Sequence, residues 1–220
     1  FIAFQMTFAI ITPALITGAT ADRLKFAGYA VLIGVWLLVV YSPVAHWAFG
    51  GGWIAKMGAF DFAGGLVVHI NAGAAALAVI LVVGARKGHG KEHMPPHALP
   101  WTLLGTGILW FGWIGFNAGS ALAANAIAAQ ALLNTIIAPA AAMLGWLLVE
   151  KIKGKHVTTL GAASGAVAGM VAITPCAGFV GTGPSLIIGF AAGIICYLAL
   201  FIKEAAKLDD ALDVIAVHLV

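Results

Sequence analysis

Eight apolar runs follow one another along this chain, at 1–19, 27–48, 62–84, 101–120, 124–149, 157–175, 184–203 and 211–220. A helix of about 20 apolar residues spans the roughly 30 Å hydrocarbon core of a bilayer. Only helices and closed barrels satisfy every backbone amide in lipid, and runs this long exceed the strand of about 10 residues that a barrel uses. Seven runs are long enough to cross, and the eighth is cut short at Val220. Charged residues make up 9% of the chain, against about 25% in soluble domains. The expectation is an all-α, polytopic transmembrane bundle of seven full spans and a partial eighth. It forms one transmembrane domain over 1–220, and its apolar runs are expected to continue beyond both ends. The 28 glycines suit close helix packing, for which 161, 165 and 169, and likewise 115 and 119, are spaced on one face. Cys176 and Cys196 are too few for a disulfide framework.

The loops orient the bundle. Loops 20–26, 85–100, 150–156 and 203–210 hold ten of the eleven Lys and Arg residues, and Lys56 in loop 49–60 is the eleventh. Every second loop is basic, which places those four on the cytoplasmic side of the cell membrane. The net charge of +3 sits in these short loops and does not point to nucleic acid. His89, His93 and His97 fall in the second basic loop, where Gly90, Pro95 and Pro96 break any regular helix. That loop reads as solvated.

Two acid-to-histidine intervals repeat. Asp61 precedes His69 by eight residues, and Asp210 precedes His218 by eight. If the helix starts at Asp61, its imidazole lies about 12 Å further along the axis, near the bilayer midplane. The first segment runs inward from outside and the second outward from inside, which is the pattern of an inverted repeat. Ile11-Thr12-Pro13 recurs as Ile173-Thr174-Pro175 on oppositely directed spans. An ionisable side chain at that depth needs a polar path or a partner, and two converging histidines suggest a pore or a relay. No third ligand of suitable type lies at their depth, so a metal site is the weaker reading. Asp61 and Asp210 stand where N-caps belong. Phe4, Phe8, Phe49, Trp110, Trp113 and Phe116 gather toward the outer face. As single residues they suit an interfacial belt, and as a set their faces can receive a small cation.

Phe4-Gln-Met-Thr-Phe8, Ser42-Pro-Val-Ala-His-Trp-Ala-Phe-Gly-Gly-Gly52, Asp61-Phe-Ala-Gly-Gly-Leu-Val-Val-His-Ile-Asn71, Trp113-Ile-Gly-Phe-Asn-Ala-Gly-Ser120 and Asp213-Val-Ile-Ala-Val-His218 closely resemble the ammonium transporter (Amt/Mep/Rh) family, in order along the chain. The resemblance implies an eleven-span trimer with one pore per subunit, of which this chain would run from the third span into the tenth. It implies that His69 and His218 are twin pore histidines and that Phe8 and Phe116 form a gate above them. Phe4, Phe49, Ser120 and Asp61 would recruit the cation. Trp113, Thr174 and Asp210 would support or line the path, Asp210 as the second-half counterpart of Asp61. The position before Gly50-Gly51-Gly52 is usually Trp in bacterial members and is Phe49 here, which keeps an aromatic face but loses the indole donor. The implied activity is passage of ammonium, deprotonated to ammonia, without a cofactor and without enzymatic turnover. The alternatives are an ammonium sensor domain of a signalling protein and a neutral gas channel. A small cytoplasmic regulator of the PII type is a partner expected from the family alone.

Overall fold

The computed structural model describes residues 1–154 and 156–220, so Lys155 of the third basic loop lies outside the described residues. All regular structure among the described residues is helical. Seven helices are long and apolar enough to cross a membrane: Ile2–Thr20, Phe26–Lys56, Gly65–Val83, Leu99–Gly119, Ala126–Gly154, Thr159–Cys176 and Thr182–Ala205. A short helical turn, Ile215–Leu219, follows. These are the seven spans expected from hydropathy, and the turn lies in the eighth apolar run. Large apolar side chains cover the outside, among them Val82 at 86% exposure and Phe111 at 77%. Such a surface suits lipid and not water.

The chain divides into two compact units, Phe1–Met94 with Ile202–Val220, and Pro95–Phe201. In the first unit, the opening span breaks after Thr12-Pro13. Proline has no amide for the carbonyl one turn back, and the Thr12 hydroxyl donates to the Phe8 carbonyl at 2.7 Å. The helix ends at Leu15 and restarts at Thr17. The second span loosens into a π-helical stretch, Leu37–Tyr41, just before Pro43. Between the first, second and third spans an apolar groove of about 590 Å³ opens, lined in part by Ile16, Leu32, Trp36, Ala78 and Val82.

In the second unit, glycines set the spacing of three spans. A Cβ on Gly169 would lie 2.6 Å from the Pro139 Cα, and one on Gly189 or Gly193 would overlap the Ala138 or Ala142 carbonyl. The spans of Gly189 and Gly169 therefore press backbone to backbone on the span that carries Pro139. Gly165 packs the same way, whereas Gly115 has open space beside it. The expectation that 115 marks a packing face is corrected: it lies on an exposed side of its helix. Thr174 repeats the behaviour of Thr12. Its hydroxyl donates to the Met170 carbonyl at 2.7 Å, and the α-helix passes into a 3-10 turn, Thr174–Cys176.

Candidate functional site

The two histidines meet in the first unit. His69 Nδ1 lies 3.0 Å from His218 Nδ1. The rings are inclined by 20° with centroids 5.1 Å apart. His69 is 1% exposed and His218 9%. A nitrogen-to-nitrogen hydrogen bond needs one donor and one acceptor, so the rings take opposite tautomers. The Nε2 of one is then an acceptor and the Nε2 of the other a donor.

The backbone leading to each ring explains why they sit there. Each histidine lies in a π-helical turn, Gly65–Ile70 and Ile215–Leu219. Each turn follows a left-handed residue three positions after its aspartate, Gly64 with φ 112° and Asp213 with φ 58°. The carbonyls of Gly64 and Asp213 then accept from Val68 at 2.8 Å and Val217 at 3.0 Å. The depth estimate drawn from the sequence is corrected here. Residues 61–64 are not helical, so the helical rise does not apply from Asp61, and His69 is the fifth residue of its helix.

Asp61 is therefore more than an N-cap. One oxygen accepts from Gly64 N at 2.8 Å and Gly65 N at 2.6 Å. The other accepts from Leu66 N at 3.0 Å and Val67 N at 3.1 Å. These are the orphan amides of the helix start. Burial pushes its carboxyl above the usual range, and the amide bonds only partly offset this. Asp210 does less, accepting from Ile215 N at 2.7 Å through Oδ2. Burial raises its carboxyl too. Gly73 lets the second turn approach the third span, because a Cβ there would lie 2.7 Å from the Leu219 Cβ.

An aromatic chain leads toward this pair. Phe4 meets Phe8 edge-on at 5.0 Å, and Phe8 meets Phe49 at 5.9 Å. Phe8 is 1% exposed and lies within 3.6 Å of where a Gly64 Cβ would be. The remaining candidates belong to the second unit. Phe116 packs on Trp113 at 4.8 Å, and the Ser120 hydroxyl donates to the Phe116 carbonyl at 2.9 Å. Trp113 donates to the Thr174 hydroxyl at 2.9 Å. Thr174 is fully buried.

Two groups escaped the sequence reading. The first is a buried polar ladder around Thr174: its hydroxyl is 3.3 Å from Asn117 Oδ1, and Asn117 donates to the Thr135 hydroxyl at 3.0 Å. The four-residue step from Trp113 to Asn117 puts both on one helix face, which was a readable signal. The second is an ion cluster on Asp209. Arg86 grips it through its amide at 2.6 Å and through Nη2 at 2.8 Å, and His89 Nδ1 is 3.2 Å away. Burial alone would raise the Asp209 carboxyl, but the bonds and charge of Arg86 hold it at about 2. Arg86 and His89 thus give the second basic loop a structural role, where the sequence suggested only solvation.

These features define a multi-pass helical membrane protein with a buried, facing imidazole pair in its first unit. The model of the Ammonium Transporter Family matches residues 1–220, and the chain belongs to that family. It is 54% identical to an ammonium transporter of Mycobacterium bovis over 229 residues, covering 100% of this chain and 48% of that protein. Among solved structures it is similar to Candida albicans Mep2, with TM-score 0.92 and 41% identity over 98% of this chain and 49% of that one. A sensor Amt protein matches with TM-score 0.92 and 34% identity, over 98% and 56% of the two chains. The chain spans about half the length of the curated relatives it matches.

Proposed function

We propose that residues 1–220 are the conducting part of an ammonium transporter and belong to a single transmembrane domain that carries no cofactor and performs no enzymatic reaction. The observation that carries this reading is the 3.0 Å Nδ1–Nδ1 approach of His69 and His218 in a buried setting. A bare cation in a low-dielectric passage is heavily penalised, whereas a neutral amine loses only a few kcal/mol. Ammonium therefore gives up its proton at the outer mouth and crosses as ammonia, while the imidazole pair relays the proton separately, so that one positive charge crosses with each ammonia. The opposite tautomers of the pair supply an acceptor for its N–H and a donor for its lone pair. Potassium has no proton to lose and is rejected. Phe4 and Phe49 attract the incoming cation through their ring faces, an effect of about 0.5–2 kcal/mol per ring. Phe8 closes the way above the rings, and Asp61 fixes the turn that presents His69. Trp113, Phe116, Ser120, Thr174 and Asp210 keep the roles that the family resemblance implies. The basic loops face the cytoplasm, and the subunit works as a homotrimer open to a PII-type regulator.

A second reading, as the membrane part of an ammonium sensor, is supported by the likeness to the sensor Amt protein. Uptake of labelled methylammonium by the full-length protein, in cells lacking their own transporters, separates the two. Saturable uptake that ammonium competes away is the transporter result. Binding without uptake is the sensor result and defeats the proposal.

A further inference from the structure

The cluster on Asp209 joins the two segments that carry the histidines. The third span holds His69 and ends at Val83, followed by the cap residue Gly84, whose carbonyl accepts from Arg23 Nη1 at 2.9 Å. Two residues further on, Arg86 donates its amide and its guanidinium to Asp209, with Nε at 3.0 Å and 3.1 Å from the two oxygens. Arg23 Nη1 also lies 3.9 Å from Asp209, whose side chain is 1% exposed. Asp210 comes next and holds Ile215, where the turn bearing His218 begins. The segment between the seventh span and that turn has no regular helix and two left-handed residues, Lys207 and Asp213. Two polar anchors hold it. Lys203 ties it to the end of its own span, through Asp213 and the Asp210 carbonyl. Asp209 ties it to the end of the His69 span by ion pairing, beside the apolar packing of Leu208 and Val214 on Val79 and Ile80.

A buried ion pair adds little net stability, but it strongly disfavours any arrangement that separates the partners. The bidentate fork of Arg86 also fixes angle as well as distance. Such a device suits register. We propose that Asp209, gripped by Arg86 and Arg23, is a positioning residue that holds the His218 turn at hydrogen-bonding distance from His69. The geometric claim stands by itself, and its consequence for transport rests on the twin-histidine reading above.

The test uses the full-length protein with ¹⁵N-labelled histidine and reads the scalar coupling between the two Nδ1 atoms across their shared proton. The parent shows the coupling. Asp209→Asn keeps the shape of the side chain, removes its charge, and loses the coupling. Glu150→Gln, which alters a carboxylate bonded to Thr158 in the other unit, keeps it. If Asp209→Asn does not fold, Arg86→Lys serves, because it keeps the charge and the amide bond but not the fork, and it weakens the coupling. Full coupling in whichever of these two variants folds overturns the proposal, as does its loss in Glu150→Gln. Methylammonium uptake is measured alongside and is expected to fall at least tenfold in Asp209→Asn. Lost coupling with unchanged uptake upholds the clamp and refutes the pore reading instead.

Discussion

The segments Asp61–His69 and Asp210–His218 share an interval, a left-handed third step and a π-helical end, yet their aspartates are used differently. Asp61 takes four amides and spends both oxygens on them. Asp210 takes Ile215 through one oxygen, and its turn depends on outside anchors at Lys203 and Asp209. One turn is held from within and the other by its neighbours. The same ring placement can thus be reached by local capping or by tertiary ion pairs.

That contrast is open to direct attack. Asp61→Ala strands four amides at a buried helix start and is expected to destabilise the folded protein by roughly 3 kcal/mol, whereas Asp210→Ala loses roughly 1 kcal/mol. Unfolding in mixed detergent measures both, and equal losses would erase the distinction. Gly64→Ala comes next. A Cβ there meets Val68 at 2.7 Å in a left-handed backbone, for a loss of roughly 1–3 kcal/mol. Asp213→Gly relieves the same backbone strain while removing the Lys203 ion pair, so its net effect stays within about 1 kcal/mol.

A further contrast lies in the dependence on pH. The Asp209 carboxyl sits at about 2 when folded, against 3.8 unfolded. Its stabilisation is complete above pH 4 and drains away as pH falls from about 4 to about 2. Asp61 runs the other way. Its folded value is raised, so the folded form is favoured below 3.8 and loses that advantage as pH rises through the folded value. Stability measured from pH 2 to pH 6 should lose its acid-side slope in Asp209→Asn and the opposing slope in Asp61→Asn.

Much of this was legible in the sequence, for reasons that also mark where legibility stops. Hydropathy reports burial in lipid directly, so the seven spans fall at their expected places, with only the second running well past its expected end, to Lys56. The eight-residue intervals flagged both histidines. The π-helical turns were not legible, because they differ from α-helix in hydrogen-bond register and not in composition. The left-handed step was visible as a glycine at 64 but hidden as an aspartate at 213. The grip of Arg86 on Asp209 joins residues 123 positions apart, and no local pattern announces such a pair. Thr174 was singled out by its echo of Thr12, but its partners Asn117 and Trp113 come from another helix.

The central claim is that a facing, uncharged imidazole pair passes ammonia and refuses the cation. The most direct measurement is current across liposomes holding the full-length protein, with ammonium or potassium outside, before and after His69→Ala and His218→Ala are combined. The account predicts a parent that responds to ammonium and not to potassium, and a double variant that has lost that discrimination or the response itself. An ammonium-selective current of undiminished size in the double variant would contradict it.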